Sequence, residues 1–174
     1  MKFLSCFGEK QKTALDEDAL LEGQKPGCVF CGVTREKGFD IIEEDEELIV
    51  FRDRWPRAAE HLLVIPRKHV ISVVPELTAR DIPMIERMEA RGRALRPQPG
   101  VKTGFHIPPF SSIHHLHMHV LVPPWRPLGK VQYPVREGED GGKKWTWFVT
   151  PQQVVSILEN GGRVGLGAQA GKKP

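Results

Sequence analysis

The chain is predicted to fold as an α+β domain, an antiparallel β-sheet of about five strands covered by one main helix with short helices beside it. Three observations lead there. Short apolar runs bounded by turn residues recur in its first half. One longer stretch carries apolar residues at helical spacing. A run of alternating histidine and apolar residues then follows, closed by two prolines. Period two marks a half-buried strand and period 3.6 an amphipathic helix.

Residues 1–27 are polar, end in Gln24-Lys25-Pro26-Gly27 and read as a flexible leader. Asp40 to Glu43 and Leu48 to Phe51 flank the acidic turn Glu44-Asp45-Glu46-Glu47 and suggest a hairpin. His61 to Ile65 is a third strand, stopped by Pro66. Thr78-Ala79-Arg80-Asp81 resembles a capping box with Asp in place of Glu. Met84, Ile85, Met88, Gly92 and Leu95 follow at helical spacing, and Pro83 requires the helix to start near Asp81 or to bend. The arginines on its other faces read as a solvated side. His115 to Val122 is the next strand, closed by Pro123-Pro124. After a Pro/Gly-rich loop, Trp145 to Val149 alternates like a strand, and Thr150-Pro151 opens a short helix through Leu158. Residues 159–174 are Gly-rich and read as a disordered tail, leaving one domain over 28–158.

Bulk properties narrow the function. The 174 residues suit one domain, and 40% hydrophobic with 27% charged residues excludes global disorder. A formal net charge of +3 is far from that of a dedicated nucleic-acid binder. The cysteines, Cys6, Cys28 and Cys31, make a poor disulfide set for a secreted protein. No apolar stretch reaches signal-peptide length or the ~20 residues of a membrane span, and position 2 is not Gly. An intracellular, reducing location is the expectation, with Cys6 a buried or merely exposed thiol.

Four of the seven histidines fall in His114-His115-Leu116-His117-Met118-His119. On a strand, His115, His117 and His119 share one face, about 6.6 Å apart, and Leu116, Met118 and Val120 share the other. The apolar set buries against a helix, and the imidazoles line a cleft. Neutral imidazole can attack phosphorus and hold it as a phosphoramidate that water then hydrolyses. The middle residue, His117, is the best placed nucleophile, since imidazoles on each side can donate to charge that builds up on the phosphoryl group. Metal binding is the competing reading of such a cluster, although no carboxylate stands beside it. Cys28-x-x-Cys31 is likewise spaced as a zinc-ligand pair or as two packed reduced thiols.

The run His115-Leu116-His117-Met118-His119-Val120-Leu121 resembles the signature of the histidine triad family. Phe51-Arg52-Asp53 and His61-Leu62-Leu63-Val64-Ile65-Pro66-Arg67-Lys68-His69 are similar to that family's upstream segment, and Cys28-Val29-Phe30-Cys31 to its opening. The Gly104-Phe105-His106-Ile107-Pro108-Pro109-Phe110 loop and Trp147-Phe148 are most similar to the third vertebrate-type subgroup of the nucleotide-binding, adenosine 5′-monophosphoramidase branch. The resemblance implies a histidine-triad-type fold and a hydrolase cleaving the P–N bond of purine nucleoside 5′-monophosphoramidates through a nucleotidyl-histidine. It implies His117 as nucleophile, His119 as the phosphate contact, His115 as an orienting neighbour and His61 as a fourth histidine from the neighbouring strand. Asp53 would bind the ribose hydroxyls and Ser112 the phosphate or leaving group. Phe30, Ile49 and Phe51 would wall the base pocket. Catalysis would need no cofactor, while microbial relatives imply a structural zinc on Cys28, Cys31, His61 and His115. A homodimer in the cytoplasm, and also the nucleus, is implied, acting on nucleoside monophosphate derivatives without membrane or nucleic acid. Aprataxin-like removal of adenylate from nucleic-acid ends, or a non-catalytic nucleotide-binding scaffold, are the alternatives. One departure bears on the leaving group: Pro108-Pro109-Phe110-Ser111 stands where many relatives have a Gly-rich loop, and proline offers no N–H to a phosphate.

Overall fold

A computed structural model of the chain describes residues 23–136 and 143–167. Most of the expected leader, including Cys6, and the end of the expected tail lie outside them. Six strands form one antiparallel sheet in the order β1-β2-β3-β5-β4-β6. They are β1 (Ile41–Glu44), β2 (Leu48–Arg52), β3 (Ala58–Pro66), β4 (Lys102–His106), β5 (Met118–Trp125) and β6 (Phe148–Val149). Helices α1 (Ile82–Leu95), α2 (Gly129–Gln132) and α3 (Pro151–Glu159) complete the fold. Among the described residues no helix is long and apolar enough to cross a membrane.

The β1–β2 hairpin forms where the acidic turn was read, because Asp45 folds its carboxylate back onto the N–H groups of Glu47 and Leu48 at 2.8 Å each. Helix α1 begins at Ile82 with Pro83 in its first turn, where no intrahelical N–H bond is lost. The Asp81 carboxylate accepts from the Thr78 N–H and hydroxyl at 2.8 Å each, so the capping residues act as read. The arginines of α1 do more than face water: Arg91 pairs with Glu43 and Asp45, and Arg87 pairs with Glu47 at 2.9 Å, tying the helix to the hairpin turn. Thr150 accepts from the Gln153 N–H and caps α3 as expected.

The main core lies between the sheet and α1 and α3, where Leu62, Val64, Ile85, Met88, Met118 and Val120 are buried together. Gly92 makes this contact possible. A Cβ there would come within 2.8 Å of Val120 Cγ2 and 3.1 Å of Met118 Cε, so the helix axis rides directly on β5. Leu116, Met118 and Val120 thus bury against the helix layer as the alternation required, which turns the other face of β5 outward to the site.

Three expectations are corrected. The sheet has a sixth strand, β4, in a segment read as a loop. Gly104 interrupts its apolar pattern because Phe148 crosses there; a Cβ at this position would lie 2.5 Å from the Phe148 ring. The triad strand starts at Met118, not His115, since residues 113–115 bend before pairing begins. Packing continues beyond Glu159: Val164 is buried in the main core and the Thr146 N–H donates to the Leu166 carbonyl.

Candidate active site

On the face of the sheet away from α1 lies a cleft of ≈ 1130 Å³ lined by residues from β2, β3, β4 and the β5 entrance. His117 and His119 stand in its wall, 9% and 5% exposed, with ring centroids 5.1 Å apart. Phe30, Phe39, Phe51 and Leu63 line the side nearer β1 and β2, while His106, Phe110, Gln132, Tyr133 and Trp147 line the side nearer β4 and β6. Lys37, Arg52, Arg54 and Arg57 also reach the lining, which suits an anionic ligand.

Hydrogen bonds fix the ring tautomers. His117 Nδ1 lies 2.7 Å from the His115 carbonyl oxygen. A carbonyl only accepts, so Nδ1 carries the proton and neutral His117 keeps its lone pair on Nε2. Burial favours that neutral form. On β3, His61 Nδ1 accepts from the Arg57 N–H at 3.4 Å, which leaves Nε2–H to donate to His119 Nδ1 at 2.8 Å. His119 must then carry its proton on Nε2, and this atom is buried without a partner among the described residues. An unpaired buried N–H costs free energy until something accepts from it. The pair therefore presents one nucleophilic nitrogen and one donor.

Asp53 supports the relay. One carboxylate oxygen accepts from the Trp55 N–H at 2.7 Å, and the other lies 3.5 Å from His61 Nε2. The carboxylate thus shapes its own turn and lines the cleft at once. Ser112 is exposed on the cleft edge. Ile49 is a correction: it is buried beneath Phe51 in a satellite core and does not line the cleft. It shares the Phe51 face of β2 but sits two residues, about 6.6 Å, further from the opening.

His115 is a second correction. It leaves the cleft and joins Cys28, Cys31 and His69, whose four donor atoms all lie within 4.8 Å of one another. Cys28 Sγ lies 3.5 Å and Cys31 Sγ 3.7 Å from His115 Nδ1, and Cys31 Sγ lies 3.3 Å from His69 Nδ1. A tetrahedral zinc with arms of 2.0–2.3 Å spaces its ligands by about 3.5 Å, so the donor set fits such an ion. The far nitrogens are also held: His115 Nε2 donates to the Pro66 carbonyl at 2.8 Å, and His69 Nε2 is 3.0 Å from Ser72 Oγ. His69, not His61, is the fourth residue of this cluster. His61 is engaged with His119 in the neighbouring site.

Sequence reasoning missed His106, Tyr133 and Trp147. His106 meets the His119 ring edge-on, with centroids 4.8 Å apart, and donates from Nε2 to the Gln132 carbonyl at 2.9 Å. Tyr133 packs edge-on against His61, 5.5 Å away, and lies 5.1 Å from His119. The quoted Gly104 to Phe110 segment contained His106, but only the β4 register reveals that it faces the triad.

The buried imidazoles predict acid sensitivity. Burial foremost pushes His61 down to about 4, only partly offset by the Asp53 carboxylate, and burial drives His119 the same way. The unfolded chain binds these protons near pH 6.5 while the folded chain refuses them, so stability is present above pH 6.5 and is lost as pH falls toward 4. For His61 alone the loss at pH 4.5 is on the order of 2–3 kcal/mol, equivalent to a Tm drop of roughly 5–10 °C relative to pH 7. Calorimetry across this range checks it, and a Tm independent of pH would contradict a buried neutral His61.

Comparison with known proteins agrees with this geometry. Residues 27–132 match the family described as "Scavenger mRNA decapping enzyme C-term binding". The chain is 32% identical over 165 residues to adenosine 5′-monophosphoramidase HINT3 of Danio rerio, covering 90% of this chain and 94% of that protein. It is 38% identical over 121 residues to HINT3 of Mus musculus, covering 59% of this chain and 73% of that one. Among solved structures, a HIT family hydrolase from Legionella pneumophila superposes with a TM-score of 0.52 at 26% identity, covering 56% of this chain and 93% of its own. The chain belongs to the histidine triad family. Within it, HINT3 phosphoramidases are among the relatives it resembles over most of its length.

Proposed function

We propose that the protein hydrolyses the P–N bond of purine nucleoside 5′-monophosphoramidates through a nucleotide held covalently on His117. One observation carries the reading: the His115 carbonyl accepts a hydrogen bond from His117 Nδ1–H, so a neutral Nε2 lone pair stands in the cleft beside the Nε2–H of His119, which has no partner among the described residues. The HINT3 relatives, named adenosine 5′-monophosphoramidases, support the same reaction class.

In the first half, His117 Nε2 attacks phosphorus, the P–N bond breaks with its electron pair on nitrogen, and the nitrogen takes a proton from solvent water as the amine leaves. His119 Nε2–H donates to a phosphoryl oxygen, where charge grows in the transition state. In the second half, water attacks phosphorus, the His117–P bond breaks with its electron pair back on Nε2, and the proton shed by the attacking water replaces the one the amine took from solvent. The His61–His119 bond holds the donor tautomer throughout, and Asp53 secures His61 while its cleft-facing carboxylate accepts from the ribose hydroxyls. Ser112 stands at the cleft edge where the leaving group departs. Phe30, Phe39 and Phe51 enclose the base.

Cys28, Cys31, His69 and His115 would hold a structural zinc, which on binding neutralises two thiolates and pins the start of the triad strand. Its effect on the reaction runs through this chain's own backbone, because His115 supplies the carbonyl that sets the His117 tautomer.

Steady-state turnover of a fluorogenic adenosine 5′-phosphoramidate tests the function. The proposal expects it to be cleaved faster than an adenylated nicked DNA duplex. No turnover of the amide, or faster removal of adenylate from DNA, would overturn it.

A further inference from the structure

The described residues hold a second set of metal-donor side chains, and it lies at the cleft. Asp53, His61 and His119 each offer one donor atom, and the three atoms lie within 4.8 Å of one another. In the sequence the histidine run has no carboxylate beside it, which weakens a metal reading. The fold supplies one. Asp53 follows the end of β2, His61 lies in β3 and His119 in β5, and these strands are neighbours in the sheet. The Asp53 N–H donates to the His61 carbonyl at 2.8 Å, which fixes the carboxylate against the imidazole pair.

The spacings suit an ion. His61 Nε2 is 2.8 Å from His119 Nδ1 and 3.5 Å from Asp53 Oδ2. Donors on arms of about 2.1 Å lie about 3.0 Å apart at octahedral cis positions and about 3.4 Å apart at tetrahedral ones. The observed distances bracket both. The donors are also held in advance: both imidazoles are buried, and the other Asp53 oxygen is anchored by the Trp55 N–H at 2.7 Å. Asp53 and His119 line the cleft, so water can reach the remaining coordination positions. Two imidazole nitrogens and one carboxylate favour a transition ion over magnesium or calcium, which prefer oxygen shells.

We propose that Asp53, His61 and His119 form an inhibitory site for a zinc-type divalent ion, which excludes nucleotide from the cleft while it is bound. Only the inhibition rests on the phosphoramidase reading; the ion binds whether or not turnover occurs. Coordination replaces the His61–His119 hydrogen bond. His119 Nδ1 already holds a lone pair, whereas His61 Nε2 carries a proton. That proton passes through solvent to His61 Nδ1, which gives up its 3.4 Å contact with the Arg57 N–H. Two N–metal bonds and one O–metal bond form, and no net proton is released. The Asp53 oxygen that would serve the ribose hydroxyls now serves the ion, so the two ligands compete. Lys37, Arg52, Arg54 and Arg57 in the lining oppose a cation. The ion therefore binds more weakly here than at the thiolate cluster and enters only when free zinc rises.

Titration of the full chain with cobalt(II), followed by absorbance, separates the two sites. Thiolate ligation gives sulfur-to-metal charge-transfer bands, and the cleft site gives only weak d–d bands. The native protein should bind about one equivalent without charge transfer. Its affinity should fall about tenfold or more in Asp53→Asn, and by a similar factor in native protein saturated with AMP. Asparagine can still accept from the Trp55 N–H, so the turn is kept while the anionic ligand is lost. Zinc chloride should raise KM for an adenosine phosphoramidate and leave kcat unchanged. Absence of a thiolate-free equivalent would overturn the site, as would one bound equally well by Asp53→Asn or in the presence of AMP. If the amide is not turned over while the ion still binds in an Asp53-dependent, AMP-sensitive way, the hydrolytic function fails and the metal site stands. Turnover that ignores zinc, with no such equivalent bound, sinks the metal site alone.

Discussion

His117→Asn is expected to lower kcat/KM for an adenosine phosphoramidate by roughly 10⁴-fold or more, the scale of losing a covalent nucleophile. The choice of asparagine isolates the cause. Its amide nitrogen sits near the position of Nδ1 and can still donate to the His115 carbonyl, now 2.7 Å from the ring. It has no counterpart of Nε2. Nucleotide affinity should therefore stay within a few-fold of the native value while turnover collapses, because the aromatic wall and Asp53 are untouched. Stopped-flow binding and steady-state kinetics on the same preparation check both halves. A loss under tenfold would mean that another group attacks phosphorus.

Cys31→Ser is expected to have the next largest effect. The native protein should carry about one equivalent of zinc, and the variant almost none, since a serine hydroxyl is not a thiolate ligand at neutral pH. Without an ion, burial pushes the Cys31 thiol up and keeps it protonated; a bound cation reverses that preference. Metal removal frees the His115 ring from one of its two anchors, the other being its bond to the Pro66 carbonyl. The variant should therefore unfold at least about 10 °C lower, as structural zinc contributes to folding directly. Turnover should fall as well, because the His115 carbonyl would no longer hold the His117 tautomer firmly. Elemental analysis with thermal melts decides it: native protein holding less than about a tenth of an equivalent would refute the metal site.

What the sequence revealed, and what it concealed, follows from how local each feature is. The alternation Leu116, Met118, Val120 against His117, His119 is local, so the buried face, the cleft face and the covering helix were legible together. Asp53, Ser112, Phe30 and Phe51 were candidates because of the family resemblance, and they do line the cleft. The His69-for-His61 exchange was not legible, because both lie in one motif, His61 within β3 and His69 just beyond its end. Only the chain reversal after Pro66 brings His69 back to within 4.9 Å of the His115 ring. His115 itself was misplaced by extending strand geometry three residues too early; the bend there sends its ring to the cysteines while its carbonyl stays with His117. Strand β4 was hidden by Gly104, a residue that disfavours strands and is required here by a ring arriving from more than forty positions away.

The covalent step can be observed directly. Native protein mixed with an adenosine phosphoramidate, quenched within a turnover and digested, should yield the peptide containing His117 heavier by one adenylyl group, with fragmentation placing it on that residue and no such species in His117→Asn. Adenylate found on a different side chain, or full turnover with no adenylylated peptide at any quench time, would contradict the account.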